Sequence, residues 1–180
     1  SHKAKRLVLS EINPVLYKKL VKNFKPIKKV KVVSKKIKNV NESFNSICYF
    51  DVLEHIDNHE AEILSAIGKL KKNGHLIICV PAHSFLYSSY DRSVGHYRRY
   101  EKDFFVKFAK EKKLNLVNLK FFDSLGFILL VINKIMNVKR KNNVGLATYF
   151  WNKLMPISKI IDKLTFNNCG KSLLCVYKKT

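Results

Sequence analysis

The most constraining feature of this sequence is a set of short apolar segments separated by stretches with apolar residues at helical spacing. Leu7 to Ser10, Lys29 to Ser34, Ser46 to Phe50 and Leu76 to Val80 read as strands, the last of them wholly apolar. A strand apolar on both faces needs cover on both faces. Parallel sheets flanked by helices provide that cover. Between the strands, Asn13 and Pro14 open a helix with Leu16, Leu20 and Phe24 on one side. Asp57 and Glu60 form a capping-box pattern ahead of a helix placing Ile63, Leu64, Ile67 and Leu70 toward a core, and Asn73-Gly74 is expected to stop it.

Beyond Pro81 lies a polar and aromatic loop. A helix with Phe104, Phe105, Phe108 and Ala109 on one face follows. Asn115 to Phe122 and Lys171 to Tyr177 read as the last two strands, expected to form an antiparallel pair at one edge of the sheet. The residues between them, 123–170, read as a helical insertion. With no internal repeat and no Gly/Ser- or Pro-rich linker, 1–180 is expected to be a single domain of α/β class. The apolar run from Leu125 to Met136 is interrupted by Asn133 and Lys134, and is too short to span a bilayer.

Charge sets a second constraint. The formal net charge is +22, and residues 1–40 hold thirteen Lys or Arg against one acid, Glu11. From Asn39 to Gly68 the sign reverses: no Lys or Arg occurs, while Glu42, Asp51, Glu54, Asp57, Glu60 and Glu62 do. Such basicity favours an anionic membrane surface or nucleic acid as partner, or else reflects a solvated lysine-rich surface. Nucleic acid is the weaker of these expectations, because no recognition motif accompanies the charge. The four cysteines contain no C-x-x-C pair, so they read as reduced thiols, neither a disulfide framework nor a metal site. That fits a cytoplasmic protein, peripheral to the membrane if its basic face meets lipid.

In an open α/β sheet, ligands sit beyond the carboxyl ends of the strands. Three strand ends carry polar side chains here: Glu11, the run Asp51-Val52-Leu53-Glu54-His55, and His83. "VLSEINP" (Val8 to Pro14), "YFDVLEHI" (Tyr49 to Ile56), "LKKNGHLIICVPAH" (Leu70 to His83) and "YDRSVGHYRRY" (Tyr90 to Tyr100) resemble successive motifs of class I S-adenosylmethionine-dependent methyltransferases. They are most similar to bacterial members that accompany glycosyltransferases.

The resemblance implies a Rossmann-like three-layer sandwich with a mostly parallel sheet and S-adenosylmethionine as cofactor. The methyl acceptor would be a small molecule or a lipid- or sugar-linked group. It implies that Glu11 holds the cofactor ribose and that Asp51, Val52, Leu53 and Glu54 lie beside the cofactor. His55 and His83 are the expected catalytic bases. His96, Arg98, Arg99 and Tyr100 would contact substrate or anchor the loop, with Asp91, Glu101 or Asp103 as partners for the arginines. No metal is expected.

In dinucleotide-type folds the glycine loop precedes the ribose acid by about 20 residues. Only ten residues precede Glu11 here. The first strand and glycine loop are therefore expected to be missing from this chain, with self-association through the incomplete sheet as one consequence. An alternative function is then a non-catalytic methyltransferase-like remnant that binds an anionic partner through its basic face.

Overall fold

A computed structural model describes residues 4–136 and 144–180, leaving aside the side chains of residues 144–152. The chain divides into two compact units. One comprises the N-terminal residues up to Ser43 together with Glu60–Lys69, and the other comprises Phe44–His59 and Leu70–Thr180.

In the first unit, strand β1 (Leu7–Ser10) leads through helix α1 (Pro14–Phe24) to strand β2 (Val30–Val33). The two strands pair in parallel, Leu7 opposite Val30 through Ser10 opposite Val33. Helix α1 starts where the sequence places it. Pro14 occupies its first turn, and the Asn13 side chain accepts hydrogen bonds from the Val15 and Leu16 amides at 2.9 and 3.2 Å. Glu42, between the cations Arg6 (2.7 Å) and Lys31 (3.1 Å), ties the strand segment to the chain that leaves it. Helix α2 (His59–Gly68) buries Ile63 and Ala66 and leaves Leu64 exposed.

The second unit holds strands β3 (Phe44–Phe50), β4 (Leu70–Pro81), β5 (Asn115–Phe122) and β6 (Ser172–Lys178) in the order β3-β4-β6-β5. β3 and β4 are parallel, and β6 inserts antiparallel between β4 and β5. The expected antiparallel pair is therefore present. Its last strand in sequence lies inside, and β5 forms the edge. Helices α3 (Ser89–Ser93) and α4 (Lys102–Glu111) follow β4. Helices α5 (Ser124–Ile135) and α6 (Val144–Leu164) lie in sequence between β5 and β6. Leu76, Ile78, Val80, Leu173 and Cys175 from the two central strands, with Phe105 of α4, are fully buried and form the core.

Two differences from the sequence reading have clear physical causes. β1 and β2 form a sheet of their own, and among the described residues no strand is hydrogen-bonded to both β1 and β3. The expected single run of four parallel strands is thus two parallel pairs. Secondly, Asn73-Gly74 does not stop α2, which ends at Gly68. These residues lie in an irregular stretch of β4, between the pairs Phe44–Leu70 and Ser46–His75. Asn73 adopts φ 60°, and a Cβ on Gly74 would stand 2.8 Å from the Lys71 carbonyl oxygen. The bulge is tied down by Lys179, whose carbonyl accepts from Asn73 and whose amide donates to Gly74.

Candidate functional site at the carboxyl ends of β3 and β4

β3 ends at Phe50, and the Asp51 amide extends its ladder by donating to the Cys79 carbonyl at 2.9 Å. Asp51 then takes φ 50°, turning the chain out of the sheet. Asp51 and Val52 are exposed there, whereas Leu53 and Glu54 turn inward and are fully buried. Leu53–His55 form a single 3-10 turn, closed by the His55 amide on the Val52 carbonyl. This explains why one short motif yields both solvent-facing and sealed side chains.

The stretch 96–101 holds that turn in place. Tyr100 pairs with both Pro81 and His83 through its backbone, adding a parallel bridge beyond the end of β4. Its buried hydroxyl donates to the Leu53 carbonyl at 3.1 Å, and burial pushes this phenol's pKa up. The Tyr97 amide donates to the Glu54 carbonyl at 2.7 Å. Arg98 donates to the carbonyls of Ile56 and Asp57 at 3.0 and 2.9 Å. Arg99 grips Asp91 with Nε at 2.9 Å and Nη2 at 3.2 Å, and donates Nη1 to the Ala82 carbonyl. Of the partners weighed for the arginines, Asp91 takes Arg99, while the carboxylate nearest Arg98 is that of Asp57.

Asp91 and Glu54 are both fully buried acids with opposite surroundings. Asp91 accepts from the Ser88 amide and hydroxyl, from Arg99 and from His96 Nδ1 (3.0 Å). Burial pushes its pKa up, but the bonds and charge from Arg99, with His96 and Ser88, hold it below the ordinary carboxylate value. Neither Glu54 oxygen has a hydrogen-bond partner on another of the described residues. Burial drives its carboxyl up to about 7, opposed by its own backbone N–H and assisted by the negative charge of Asp51. His96 Nε2 lies 3.9 Å from Glu54 Oε1, and the His55 and His96 rings meet edge-on with centroids 4.7 Å apart.

His83 stands at the end of β4 with φ 64°. Its Nε2 donates to the Gly170 carbonyl at 3.0 Å, which leaves Nδ1 as the basic nitrogen, 3.9 Å from Glu101. Phe121, Phe127 and Phe85 pack around the ring. Burial lowers its pKa, with Glu101 acting in the opposite sense, so the imidazole is neutral at pH 7. Glu11 belongs to the other unit. At the end of β1 its Oε1 accepts from the Asn13 amide at 2.8 Å, and its second oxygen makes no bond with the described residues.

Sequence reasoning missed a buried polar knot beside Gly170. Asp162 accepts from the Asp123 and Ser124 amides at 3.0 and 2.7 Å, and Asp123 accepts from Ser158 and pairs with Lys171 at 2.8 Å. The available signal was Asp123-Ser124 at a strand-to-helix junction, a helix-capping pattern. The contact of Glu54 with His96 had no such signal.

A family model described as a methyltransferase domain matches residues 3–120. The chain belongs to this methyltransferase family. Solved structures similar to it include the N-methyltransferase NodS from Bradyrhizobium japonicum WM9 in complex with S-adenosyl-L-homocysteine. That protein is 13% identical at a TM-score of 0.57, over 97% of this chain and 67% of NodS. Coclaurine N-methyltransferase bound to N-methylheliamine and S-adenosylhomocysteine is 13% identical at 0.60, over 97% of this chain and 60% of the enzyme. Phosphoethanolamine N-methyltransferase 2 of Haemonchus contortus, in complex with S-adenosyl-L-methionine, is 13% identical at 0.56, over 98% of this chain and 49% of that enzyme. No curated protein matches the sequence. The methyltransferase domain thus shares its Rossmann-like α/β fold with these enzymes. Among its described residues, no helix is long and apolar enough to cross a membrane.

Proposed function

We propose that this methyltransferase domain uses S-adenosylmethionine to methylate a small-molecule, lipid-linked or sugar-linked acceptor. The observation that carries the reading is the family match, together with the motif residues standing at strand ends. Glu11 ends β1 with one carboxylate oxygen uncommitted, and Asp51 and Val52 are exposed where β3 leaves its sheet. The donor set fits the cofactor's ribose end: an uncommitted carboxylate oxygen is the acceptor that a ribose hydroxyl seeks. Bound there, the cofactor supplies an electrophilic methyl group on a sulfonium.

The chain's own contribution is alignment and proton handling. Asp51, Val52 and Leu53, with Glu54, shape the edge beside the cofactor. His83 offers a neutral nitrogen, Nδ1, held at fixed orientation by Gly170, as the acceptor for the proton leaving the nucleophile. His55 is a second base at the exposed rim. His96, Arg98, Arg99 and Tyr100 act on substrate indirectly, by fixing the turn that carries Leu53 and Glu54. The net charge of +22 supports a second reading, in which the basic face holds an anionic partner such as a membrane surface.

Calorimetric titration of the full-length protein with S-adenosylhomocysteine tests the first reading. Glu11→Ala should weaken binding about 10- to 100-fold, the loss of charge-assisted hydrogen bonds to a diol. Unchanged affinity in that variant would remove Glu11 from the site.

A further inference from the structure

We propose that Glu54, His55 and His96 form a binding site for a divalent transition-metal cation at the carboxyl end of β3. One ligand atom from each residue lies within 4.8 Å of those of the other two. Glu54 Oε1 and His96 Nε2 stand 3.9 Å apart. Metal bonds near 2.0–2.2 Å would bring ligand atoms to roughly 3.3 Å of one another. The required contraction is small, and His55 lies at an exposed position.

The orphaned carboxylate is the independent sign of a ligand. Both oxygens of Glu54 are sealed from solvent, and no other described residue donates to them. A buried carboxylate without donors is costly, and such groups are otherwise paired or bound to metal. Asp91, buried to the same extent four residues before Gly95, shows that this loop can supply donors where it needs them. At Glu54 two imidazoles, those of His55 and His96, stand beside the carboxylate.

Those imidazoles are already oriented for coordination. His96 gives its Nδ1–H to Asp91, which Arg99 and Ser88 fix in turn, and this leaves the Nε2 lone pair on the Glu54 side. A carboxylate holding the remote nitrogen of a ligating histidine is the usual outer-shell arrangement of metal sites. His55 Nδ1 lies 3.2 Å from the Gly95 carbonyl, which can only accept. Its Nε2 is therefore the unprotonated nitrogen of the neutral ring. Two imidazoles and one carboxylate select a transition cation such as Zn²⁺ or Mn²⁺ over Mg²⁺ or Ca²⁺, which prefer all-oxygen shells. Three protein ligands leave coordination positions open. If the methyltransferase reading holds, an acceptor hydroxyl or amine could occupy one of them and lose its proton more readily.

Zn²⁺ titrated into the full-length, chelator-stripped protein without cofactor, followed by calorimetry, is the test, with Co²⁺ absorption as a second readout. One equivalent should bind, and Co²⁺ should give visible bands of a low-coordinate N/O site. His55→Ala, at an exposed position, and Glu54→Gln, which keeps shape and removes charge, should each weaken Zn²⁺ at least tenfold. Cys48→Ser, at the exposed thiol, should leave it unchanged. Circular dichroism establishes that each variant is folded, and if Glu54→Gln is not, His55→Ala decides. Undiminished Zn²⁺ binding in His55→Ala, or no binding below millimolar metal, would overturn the site. Zn²⁺ binding that persists where S-adenosylhomocysteine fails to bind would sink the cofactor reading alone.

Discussion

The turn Asp51–His55 and the stretch Ser88–Glu101 face each other across one site but treat their polar groups in opposite ways. In the second, Asp91, Arg98, Arg99, Tyr100 and Glu101 all direct their side chains to internal partners. In the first, Asp51 is exposed, Glu54 is sealed without donors on other described residues, and His55 is held through Gly95 and an edge-on contact with the His96 ring. A scaffold and a ligand-facing edge can thus be told apart by hydrogen-bond bookkeeping alone. Conspicuous charged residues such as Arg98-Arg99 fall on the scaffold side.

Breaking the scaffold should have the largest effect. Asp91→Ala leaves Arg99, whose side chain is 7% exposed, buried beside an empty space, and also releases His96 and Ser88. Removing one partner of a buried pair typically costs about 3–5 kcal/mol. Urea denaturation should show a loss of that order. A loss under about 1 kcal/mol would mean that the stretch is not the scaffold described.

Glu54→Gln should act in the opposite direction. The folded carboxyl is raised to about 7 from an ordinary 4.5, so the fold favours its neutral form. Stability contributed by the protonated group is full below pH 4.5 and is lost as pH rises through 7. At pH 8, with chelator present, the neutral Gln variant should be more stable than the parent, on the order of 1–3 kcal/mol. At pH 4 the two should converge. A destabilised variant at pH 8 would indicate donors to Glu54 that the structure does not show.

The same contrast marks what was legible in the sequence. Asn13, Pro14 and the apolar strand runs act locally or through simple periodicity, so β1, α1, β3 and the β5–β6 pair lie close to where sequence places them. The run from Leu64 to Gly74 reads as the end of one helix, yet the helix stops at Gly68 and β4 begins at Leu70. Pairing with Phe44 and with Lys179 decides it, and sequence spacing carries neither contact. At the site, the motif locates Asp51 to His55 without saying which side chain is buried. That depends on Tyr97 and Tyr100, more than forty residues away. The split into two sheets, by contrast, agrees with the incomplete sheet expected from the sequence.

The smallest effect concerns His83 and is best measured in the Glu54→Gln background, where the opposing carboxyl is removed. His83 is neutral in the fold because the ring is packed among Phe85, Phe121 and Phe127. Glu101 favours its charged form and Arg99 disfavours it, and burial is the largest influence. Its folded pKa is therefore below the ordinary 6.5. As pH falls through 6.5 the unfolded chain takes up a proton that the folded chain does not, so stability falls with pH in that window. Above 6.5 the contribution is fully present. His83→Asn, chosen because Asn tolerates φ 64°, should flatten the fall in denaturation midpoint between pH 7 and pH 5. A slope that persists in His83→Asn would assign the proton uptake to another of the histidines. A slope that vanishes would place an unprotonated imidazole at the end of β4 at neutral pH, the state in which it can accept a proton from a nucleophile.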